Sequence, residues 1–288
     1  MNYFIPTTLS DALDLMDSQD PDVIAGGTDF LPGRGPGPLV RGLLDISRIS
    51  ELRGIERIEG GYRIGAATRW SDIANAELPA GLAGLQSAAR EVGSLQIQNA
   101  GTIGGNICNA SPAADGVPPL LTLDASVEVR SQKCVRLVPL SDFILGVRSV
   151  AVAKGELVTA LCISAPPPHA RGAFSKLGSR RYMVISISMV AAVIGLDAQG
   201  RIDCARIAVG ACSPVARRLE ALEADLLGHR PRDVELTPGH LRALTPIDDV
   251  RGSGAYRLRA TAEQCRRIIH EAAFQGRRQA RWTDARAQ

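Results

Sequence analysis

Two glycine-rich segments hold most of the residues in this chain whose types and spacing could do chemistry. One is NAGTIGGNICNASPAAD, residues 99–115, and the other is VIAGGTDFLPG, residues 23–33. Adjacent glycines allow positive φ angles and remove the Cβ atoms that would keep a ligand away, so consecutive backbone N–H groups can converge on one anion. Phosphate is the usual anion in such a site. Two segments of this kind predict a diphosphate rather than a single phosphate.

Polar side chains in both segments would add hydrogen bonds to that site. A hydrogen bond to a charged oxygen contributes about 1.5–3 kcal/mol, and the candidate donors are Thr28, Thr102, Ser111 and Asn106. Asp29 and Asp115 would repel phosphate, so their expected partners are sugar-chain hydroxyls, backbone amides or the polar edge of a bound ring. Neither segment matches GxGxxG or GxxxxGK[ST], so the sequence predicts neither a Rossmann site nor a P-loop. The alternative is that each glycine pair forms a plain turn.

Composition excludes several classes of protein. The chain has 288 residues and a formal net charge of +3, with both signs scattered, so no basic arm for nucleic acid is expected. No run reaches the ~20 apolar residues of a membrane span, and the first residues do not resemble a secretory signal, so we expect a cytoplasmic protein. The six cysteines are far apart and form no CxxC pair. This chain alone is therefore not expected to bind zinc or an iron–sulfur cluster.

The apolar spacing predicts two α/β units in the first part of the chain. Up to about residue 55, a helix is expected over 9–16, with strands in YFI, DVIA and GLLDI. A hairpin in GIERIEGGYRIGAAT begins a second unit. There we expect Thr68 to cap a helix, residues 82–92 to be helical and Pro118 to begin another helix. Strands are expected in ASVEVRS and ELVTALCIS.

A third region follows the proline-rich stretch APPPHARG. Its first half predicts strands, in AFSKLGSRR, ISISMVAAVIGLD and RIDCARIAVGAC. Its second half predicts amphipathic helices over 216–227 and 256–274. Strands followed by helices are typical of an α+β domain.

Four motifs are spread over the chain: AGGTD, NAGTIGGNICNASPAAD, FSKLGSRR and DVRGSGAYR. Together, in this order, they resemble the FAD-binding (medium) subunit of the molybdenum hydroxylases, the group that contains xanthine dehydrogenase and aerobic carbon monoxide dehydrogenase. The resemblance implies an α+β fold, in which a two-subdomain FAD-binding domain of the vanillyl-alcohol-oxidase type precedes a small α+β C-terminal domain. The implied FAD-binding domain spans 1–168, with subdomains at about 1–55 and 56–168. The C-terminal domain, of the CO dehydrogenase flavoprotein type, spans 169–288.

The resemblance also implies which residues contact FAD. Those around the diphosphate and ribityl chain are Val23, Ile24, Ala25, Gly26, Gly27, Thr28, Asp29, Phe30, Thr102, Ile103, Gly104, Gly105 and Asn106. Asp115 is implied to contact the cofactor, and Val158 and Lys176 to lie close to the isoalloxazine ring. Val92 occupies a position where relatives place a flavin-contacting side chain. The alternative for Val92 and Val158 is a core position, and for Lys176 a surface cation.

The function implied by the resemblance is electron transfer. The chain would accept electrons from [2Fe–2S] clusters of a small subunit and pass them to NAD, oxygen or a quinone. Substrate would be oxidised on a large molybdopterin-binding subunit, in a dimer of heterotrimers. Two alternatives stay open: a self-contained FAD-dependent oxidase, and an assembly subunit that has lost the flavin.

The sequence departs from its relatives at one point near the flavin. Many of them carry an acidic residue after the arginine pair, where this chain has Met183 and Val184. This departure bears on reaction with a nicotinamide, and the acceptor stays open among NAD, oxygen and a quinone. The cysteine-rich insertion of the 4-hydroxybenzoyl-CoA reductase branch does not occur in this sequence, so no additional iron–sulfur cluster is expected.

Overall fold

The computed structural model describes residues 2–33, 41–181 and 183–284. The N-terminal unit consists of a small sheet and one long helix: β1 (Tyr3–Phe4), α1 (Leu9–Gln19), β2 (Asp22–Ile24) and β3 (Leu43–Asp45). The strands are parallel and lie in the order β1-β3-β2. In parallel sheets, ligands bind beyond the carboxyl ends of the strands. The AGGTD motif starts immediately after β2 and therefore lies at such an end.

Helix α1 shows how the local sequence sets its ends. The Thr8 hydroxyl accepts a hydrogen bond from the Asp11 amide and caps the first turn. Asp20 ends the helix with a left-handed φ of 47°. Leu9, Ala12 and Met16 share one buried face that packs on the sheet. The helix extends three residues beyond the predicted 9–16 because its last turn is polar and exposed, and apolar spacing does not detect such a turn.

The central unit is built on a five-stranded antiparallel sheet with a small hairpin. Its strands are β4 (Ile55–Ile58), β5 (Gly61–Gly65), β6 (Ser126–Arg130), β7 (Val135–Pro139), β8 (Ile144–Gly146), β9 (Ser149–Val150) and β10 (Leu157–Ser164). The large sheet has the order β4-β5-β10-β6-β7, and β8 pairs with β9. Short helices cover this sheet: α2 (Trp70–Asn75), α3 (Ala83–Glu91), α4 (Leu95–Ala100), α5 (Ile103–Asn109), α6 (Val117–Thr122) and α7 (Leu140–Phe143).

The start of α2 differs from the sequence prediction. The Thr68 hydroxyl donates to the Gly54 carbonyl at 3.1 Å, and Arg69 is the N-cap residue. The prediction that Thr68 caps this helix is therefore wrong. The physical reason is a long-range contact, because Arg69 forms an isolated antiparallel bridge with Thr102 that fixes where the chain turns.

The C-terminal unit is a four-stranded antiparallel sheet with helices on one face. Its strands are β11 (Arg171–Leu177), β12 (Ser188–Leu196), β13 (Ile202–Gly210) and β14 (Arg217–Arg218), in that order. They are followed by α8 (Glu220–Leu226) and α9 (Gly254–Asp284). Both faces of β12 are buried: Val190, Ala192 and Ile194 pack with the helices, while Met189 and Ala191 pack with α3. This double burial explains the continuous apolar run in the sequence. No described helix is both long and apolar enough to cross a membrane.

A buried ion cluster joins three strands of the central sheet. Glu128 on β6 accepts hydrogen bonds from Arg63 at 2.8 and 3.2 Å, from Arg130 at 3.0 Å and from the Thr159 hydroxyl at 2.6 Å. Burial alone would raise the pKa of Glu128, but the hydrogen bonds from Arg63 and Thr159 and the two arginine charges lower it to about 2 from 4.5. The ionised carboxylate therefore stabilises the fold.

We expect this contribution to be lost in acid. A group with a lowered pKa stabilises the folded state above its unfolded pKa, and this stabilisation disappears as the pH falls from about 4.5 towards about 2. Glu128→Gln is uncharged throughout. The difference in urea midpoint between wild type and this variant should therefore narrow over that interval. Glu59→Gln, at an exposed turn, is the control and should follow wild type. A difference that stays constant from neutral pH to pH 2 would contradict the assignment.

Candidate functional site

The first glycine segment leaves β2 and rests against the second segment. A Cβ atom at Gly26 would lie 1.9 Å from the Ala100 carbonyl oxygen, so only glycine permits this approach. Gly27 has a φ of +67°, which side chains other than glycine rarely adopt. These two conformational requirements explain the adjacent glycines of AGGTD.

Backbone amides of this segment are available to a ligand. The Leu31 amide donates to the Gly27 carbonyl and the Gly33 amide donates to the Asp29 carbonyl. These two hydrogen bonds hold the segment in a turn. In the described part of the chain, the amides of Gly26, Gly27, Thr28 and Asp29 donate to no acceptor. Successive amides without an acceptor form an anion-binding concavity. This arrangement fits the phosphate chemistry that the sequence predicts.

The second glycine segment has a different structure from the predicted loop. Thr102 caps α5, with its hydroxyl accepting from the Gly105 amide at 3.1 Å. The amides of Ile103 and Gly104 donate to Thr68 and Ala66 carbonyls. The expectation that these glycines adopt positive φ and direct free amides to an anion is therefore wrong, because neither has positive φ and their amides are used within the protein.

The two glycines of α5 serve packing and access instead. A Cβ at Gly104 would lie 2.7 Å from the Ala66 carbonyl oxygen, so this glycine allows α5 to lie against the sheet. Gly105 is exposed, and a Cβ there would meet only the Thr102 hydroxyl, at 3.0 Å. Gly105 therefore keeps open the space beside the first segment.

Two adjoining cavities, which we call the cleft, lie between the N-terminal and central units. The first, of about 290 Å³, is lined by the predicted residues Val23, Ile24, Ala25, Gly26, Gly27, Thr28, Asp29, Phe30, Val92, Thr102, Gly105 and Asn106. The second, of about 300 Å³, is lined by Val23, Ala25, Gly104, Gly105 and Val158 among others. The two share four lining residues, Val23, Ala25, Gly105 and Cys108. The two cavities therefore adjoin at these residues.

Several lining residues were not singled out from the sequence. In the first cavity these are Trp70, Ile97, Gly101, Cys108 and Asn109. The second cavity is bordered by charged side chains, those of Asp20, Asp22, Arg41, Lys154 and Glu156. Gly101, Cys108 and Asn109 belong to the motif NAGTIGGNICNASPAAD, so their place in that motif could have indicated that they line the cleft. The others come from elements with no motif of their own.

Four predicted residues lie outside the lining of these two cavities. Ile103 is fully buried in the central core. The Ser111 hydroxyl accepts from the Ala113 amide at 3.3 Å, within its own turn. Asp115 and Lys176 form an ion pair with an Nζ to Oδ2 distance of 2.6 Å. Their roles as cofactor contacts stay predictions.

The Asp115–Lys176 pair is buried and has few other partners. Side-chain exposure is 9 % for Asp115 and 7 % for Lys176. Lys176 also donates to the Glu91 carbonyl at 3.1 Å, and the Ser186 hydroxyl donates to Asp115 at 2.7 Å. Burial raises the pKa of Asp115 although the Lys176 charge opposes it. This pair ties the C-terminal sheet to the end of α3 and to the turn after α5.

Metal-binding side chains do not cluster in the described residues. Within 2–33, 41–181 and 183–284, no group of three or more His, Cys, Asp or Glu could hold a metal ion. The cleft instead offers backbone amides, a threonine hydroxyl and apolar walls. These groups fit an elongated organic cofactor that carries a diphosphate.

Comparison with known protein families identifies two matching regions. Residues 1–166 match the FAD binding domain in molybdopterin dehydrogenase, and residues 173–272 match the CO dehydrogenase flavoprotein C-terminal domain. The first match alone covers more than half of the chain. These matches support the predicted fold class and cofactor.

Individual proteins are similar along nearly the whole length. The xanthine dehydrogenase FAD-binding subunit of Escherichia coli O157:H7 is 32% identical over 284 residues, covering 94% of this chain and 95% of that one. The nicotinate dehydrogenase FAD-subunit of Eubacterium barkeri is 33% identical, covering 85% and 84%. A chain of the reconstituted CO dehydrogenase from Oligotropha carboxidovorans superimposes with a TM-score of 0.86 at 25% identity, covering 95% and 97%.

The fold expectation is confirmed: an α+β FAD-binding domain precedes a C-terminal flavoprotein domain. The predicted cofactor, FAD, is confirmed by the same family and by the FAD subunits among its relatives. An oxidoreductase assignment follows, because these relatives are dehydrogenase subunits. The chain belongs to the family of FAD-binding subunits of the molybdenum hydroxylases.

Proposed function

We propose that this chain is the electron-transfer subunit of a three-subunit molybdenum hydroxylase. It receives electrons from [2Fe–2S] clusters of a small subunit and delivers them to an external acceptor. Oxidation of the organic substrate takes place at the molybdenum cofactor of a large subunit. The complex is a cytoplasmic dimer of such heterotrimers. The observation that carries the FAD-binding part of this proposal is the row of unused amides at Gly26, Gly27, Thr28 and Asp29 beside the cleft. The place in a dehydrogenase complex is supported by the relatives, which are FAD subunits of dehydrogenases.

The chain's own residues bind and orient the cofactor. The amides of Gly26 to Asp29 hold the diphosphate, while Gly105 leaves space for it beside α5. The Asn106 Oδ1 atom is buried and has no hydrogen-bond partner among the described residues, so it is available to a hydroxyl of the ribityl chain. FAD supplies the ability to exchange one or two electrons, which no amino acid side chain provides.

The Asp115–Lys176 pair lies next to the flavin ring in this proposal, with Val92 on one side of it. A lysine charge beside the ring favours the anionic reduced state. Asp115 partly neutralises that charge, so the pair, not Lys176 alone, sets the local potential. Val158 lies in the second cavity, and Ser111 holds the turn that carries Asp115.

The electron acceptor is proposed from the segment after the arginine pair. Met183 is 62% exposed and has a φ of 49°. Val184 packs beside Gly178, where an added Cβ would lie 2.4 Å from a Val184 methyl. Apolar side chains at these two positions offer no hydrogen-bond acceptor to a nicotinamide. Oxygen or a quinone is therefore the favoured acceptor.

Electron delivery from the partner tests the proposal. Under anaerobic conditions, the purified chain with bound FAD should stay oxidised when mixed with xanthine or nicotinate, and dithionite should reduce it. Adding the reduced [2Fe–2S] subunit should bleach the flavin absorbance, because the relay receives electrons only from that partner. Stable docking of the two chains should bury more than about 1,200 Å², and size-exclusion chromatography would detect it. Rapid bleaching by an organic substrate alone would favour a self-contained oxidase.

A further inference from the structure

Trp70 is a buried side chain that borders the cleft. It begins α2, is 1% exposed and lines the first cavity. Its amide donates to the Gly101 carbonyl at 3.2 Å, which holds α2 against the second glycine segment. A Cβ at Gly116 would lie 2.4 Å from the Trp70 Cη2 atom, so the far end of the indole fits only against a glycine. The ring is therefore fixed in place.

The indole N–H of this fixed ring is unused. None of the hydrogen bonds formed within the described residues involves Trp70 Nε1. Trp70 Nε1 is not among the fully buried polar atoms that lack a partner, so this N–H is open to the cavity that Trp70 lines. The Asn106 Oδ1 atom is another group without a partner nearby, yet the two form no hydrogen bond. The indole N–H can therefore donate to a molecule that fills the cavity.

The pyrrole side of the indole lies near the first glycine segment. A Cβ at Gly101 would be 3.5 Å from Trp70 Cδ1 and 3.3 Å from the Thr28 hydroxyl oxygen. Cδ1 is bonded to Nε1, so the N–H edge and the Thr28 hydroxyl both lie near Gly101. Thr28 is also one of the residues with an unused amide. These donors converge on one part of the cleft.

We infer that the Trp70 Nε1–H donates a hydrogen bond to a diphosphate oxygen of FAD. The inference rests on the proposed position of the diphosphate at Gly26 to Asp29. A neutral donor suits this place, since a buried lysine or arginine would need a counter-charge when FAD is absent. Trp70 thus adds a neutral side-chain donor to the backbone amides of Gly26 to Asp29.

The indole proton itself provides the first test. The chain has two tryptophans, Trp70 and Trp282, so a ¹⁵N–¹H spectrum of the apoprotein shows two indole signals, and Trp282→Phe assigns them. Saturating FAD should move the Trp70 signal downfield. A Trp70 signal that does not move when FAD binds would overturn the inference. A Trp70 signal that is already downfield in the apoprotein would also overturn it, because the indole N–H would then be donating to Asn106 Oδ1. A chain that takes up no FAD would instead contradict the proposed function.

Affinity and phosphorus spectra provide the second test. Trp70→Phe keeps an aromatic ring but removes the indole N–H, so the Kd for FAD should rise about 10- to 100-fold. Trp70→His keeps an N–H donor and should recover part of this loss. Both substitutions shorten a fully buried side chain, so the apoprotein variants should melt below wild type, and the Kd is measured at a temperature where circular dichroism shows each variant to be folded. The ³¹P signals of bound FAD should differ between wild type and Trp70→Phe. Unchanged affinity, or unchanged ³¹P signals, would overturn the assignment to the diphosphate.

Discussion

Gly105→Val should weaken FAD binding by at least about 100-fold and leave the protein folded. Gly105 lines both cavities of the cleft. It does not have positive φ, and valine is not a poorer helix former than the glycine it replaces. The only close contact of the added Cβ is the Thr102 hydroxyl, at 3.0 Å. The isopropyl group would occupy the space between α5 and the AGGTD segment. Each 1.4 kcal/mol of lost contact or steric repulsion lowers affinity tenfold.

Flavin content of the purified variant, together with its circular dichroism spectrum, measures this effect. The matched control is Gly146→Val, in the β8–β9 hairpin, where an added Cβ meets no atom within 4 Å. That variant should retain normal flavin content. Gly104→Val is a useful contrast, because a side chain there would collide with Ala66 and should impair folding as well as binding. Normal flavin content in Gly105→Val would show that the cofactor does not occupy this space.

Lys176→Met should lower the free energy of unfolding by about 3–5 kcal/mol at neutral pH, because it leaves the buried Asp115 carboxylate without its counter-charge. The Ser186 hydroxyl remains as a partner of Asp115, but one hydroxyl does not offset the burial of a charge. Urea unfolding of the apoprotein measures the loss. Lys133→Met, at an exposed turn, is the control and should change stability by less than about 0.5 kcal/mol.

The pH dependence gives this prediction a sign. Without Lys176, burial raises the pKa of Asp115 further above its unfolded value, and a raised pKa favours the folded state only while the group is protonated. The loss in free energy of unfolding caused by Lys176→Met should therefore be smallest near pH 4 and should grow towards neutral pH. The double variant Lys176→Met/Asp115→Asn should recover most of the stability, because no unpaired charge remains. A double variant as unstable as the single one would mean that packing, not charge, explains the loss.

The same variant tests the proposed position of the pair beside the flavin. Lys176→Met that still binds FAD should show a lower midpoint potential, since a charge that stabilises the reduced anion is gone. An unchanged or higher potential would place Lys176 away from the ring. The stability prediction would be unaffected, because it depends only on the ion pair.

Motif and periodicity in the sequence determined the family, the cofactor and the order of elements in this chain. Two glycine motifs at a fixed separation identify the FAD-binding domain, because a phosphate-binding turn needs particular residue types over a short length. Alternating and helical apolar patterns predicted α1, the β4–β5 hairpin and the β11 to β13 strands, because each reflects one buried face. Sequence patterns fail to predict an element that depends on distant contacts. An example is Thr68, whose hydroxyl donates to the Gly54 carbonyl instead of capping α2.

Only the tertiary structure decided how the site residues are used. Lys176 and Asp115 are 61 positions apart, and the Trp70 ring fits at the cleft because Gly116 leaves room for its far end. Gly104 and Gly105, which the sequence pattern predicts to form an anion-binding loop, lie in the first turn of a helix, where the Thr68 and Ala66 carbonyls accept from the amides of Ile103 and Gly104. The physical reason is that local sequence restricts backbone conformation, whereas packing between distant segments decides which amides and charges remain free for a ligand.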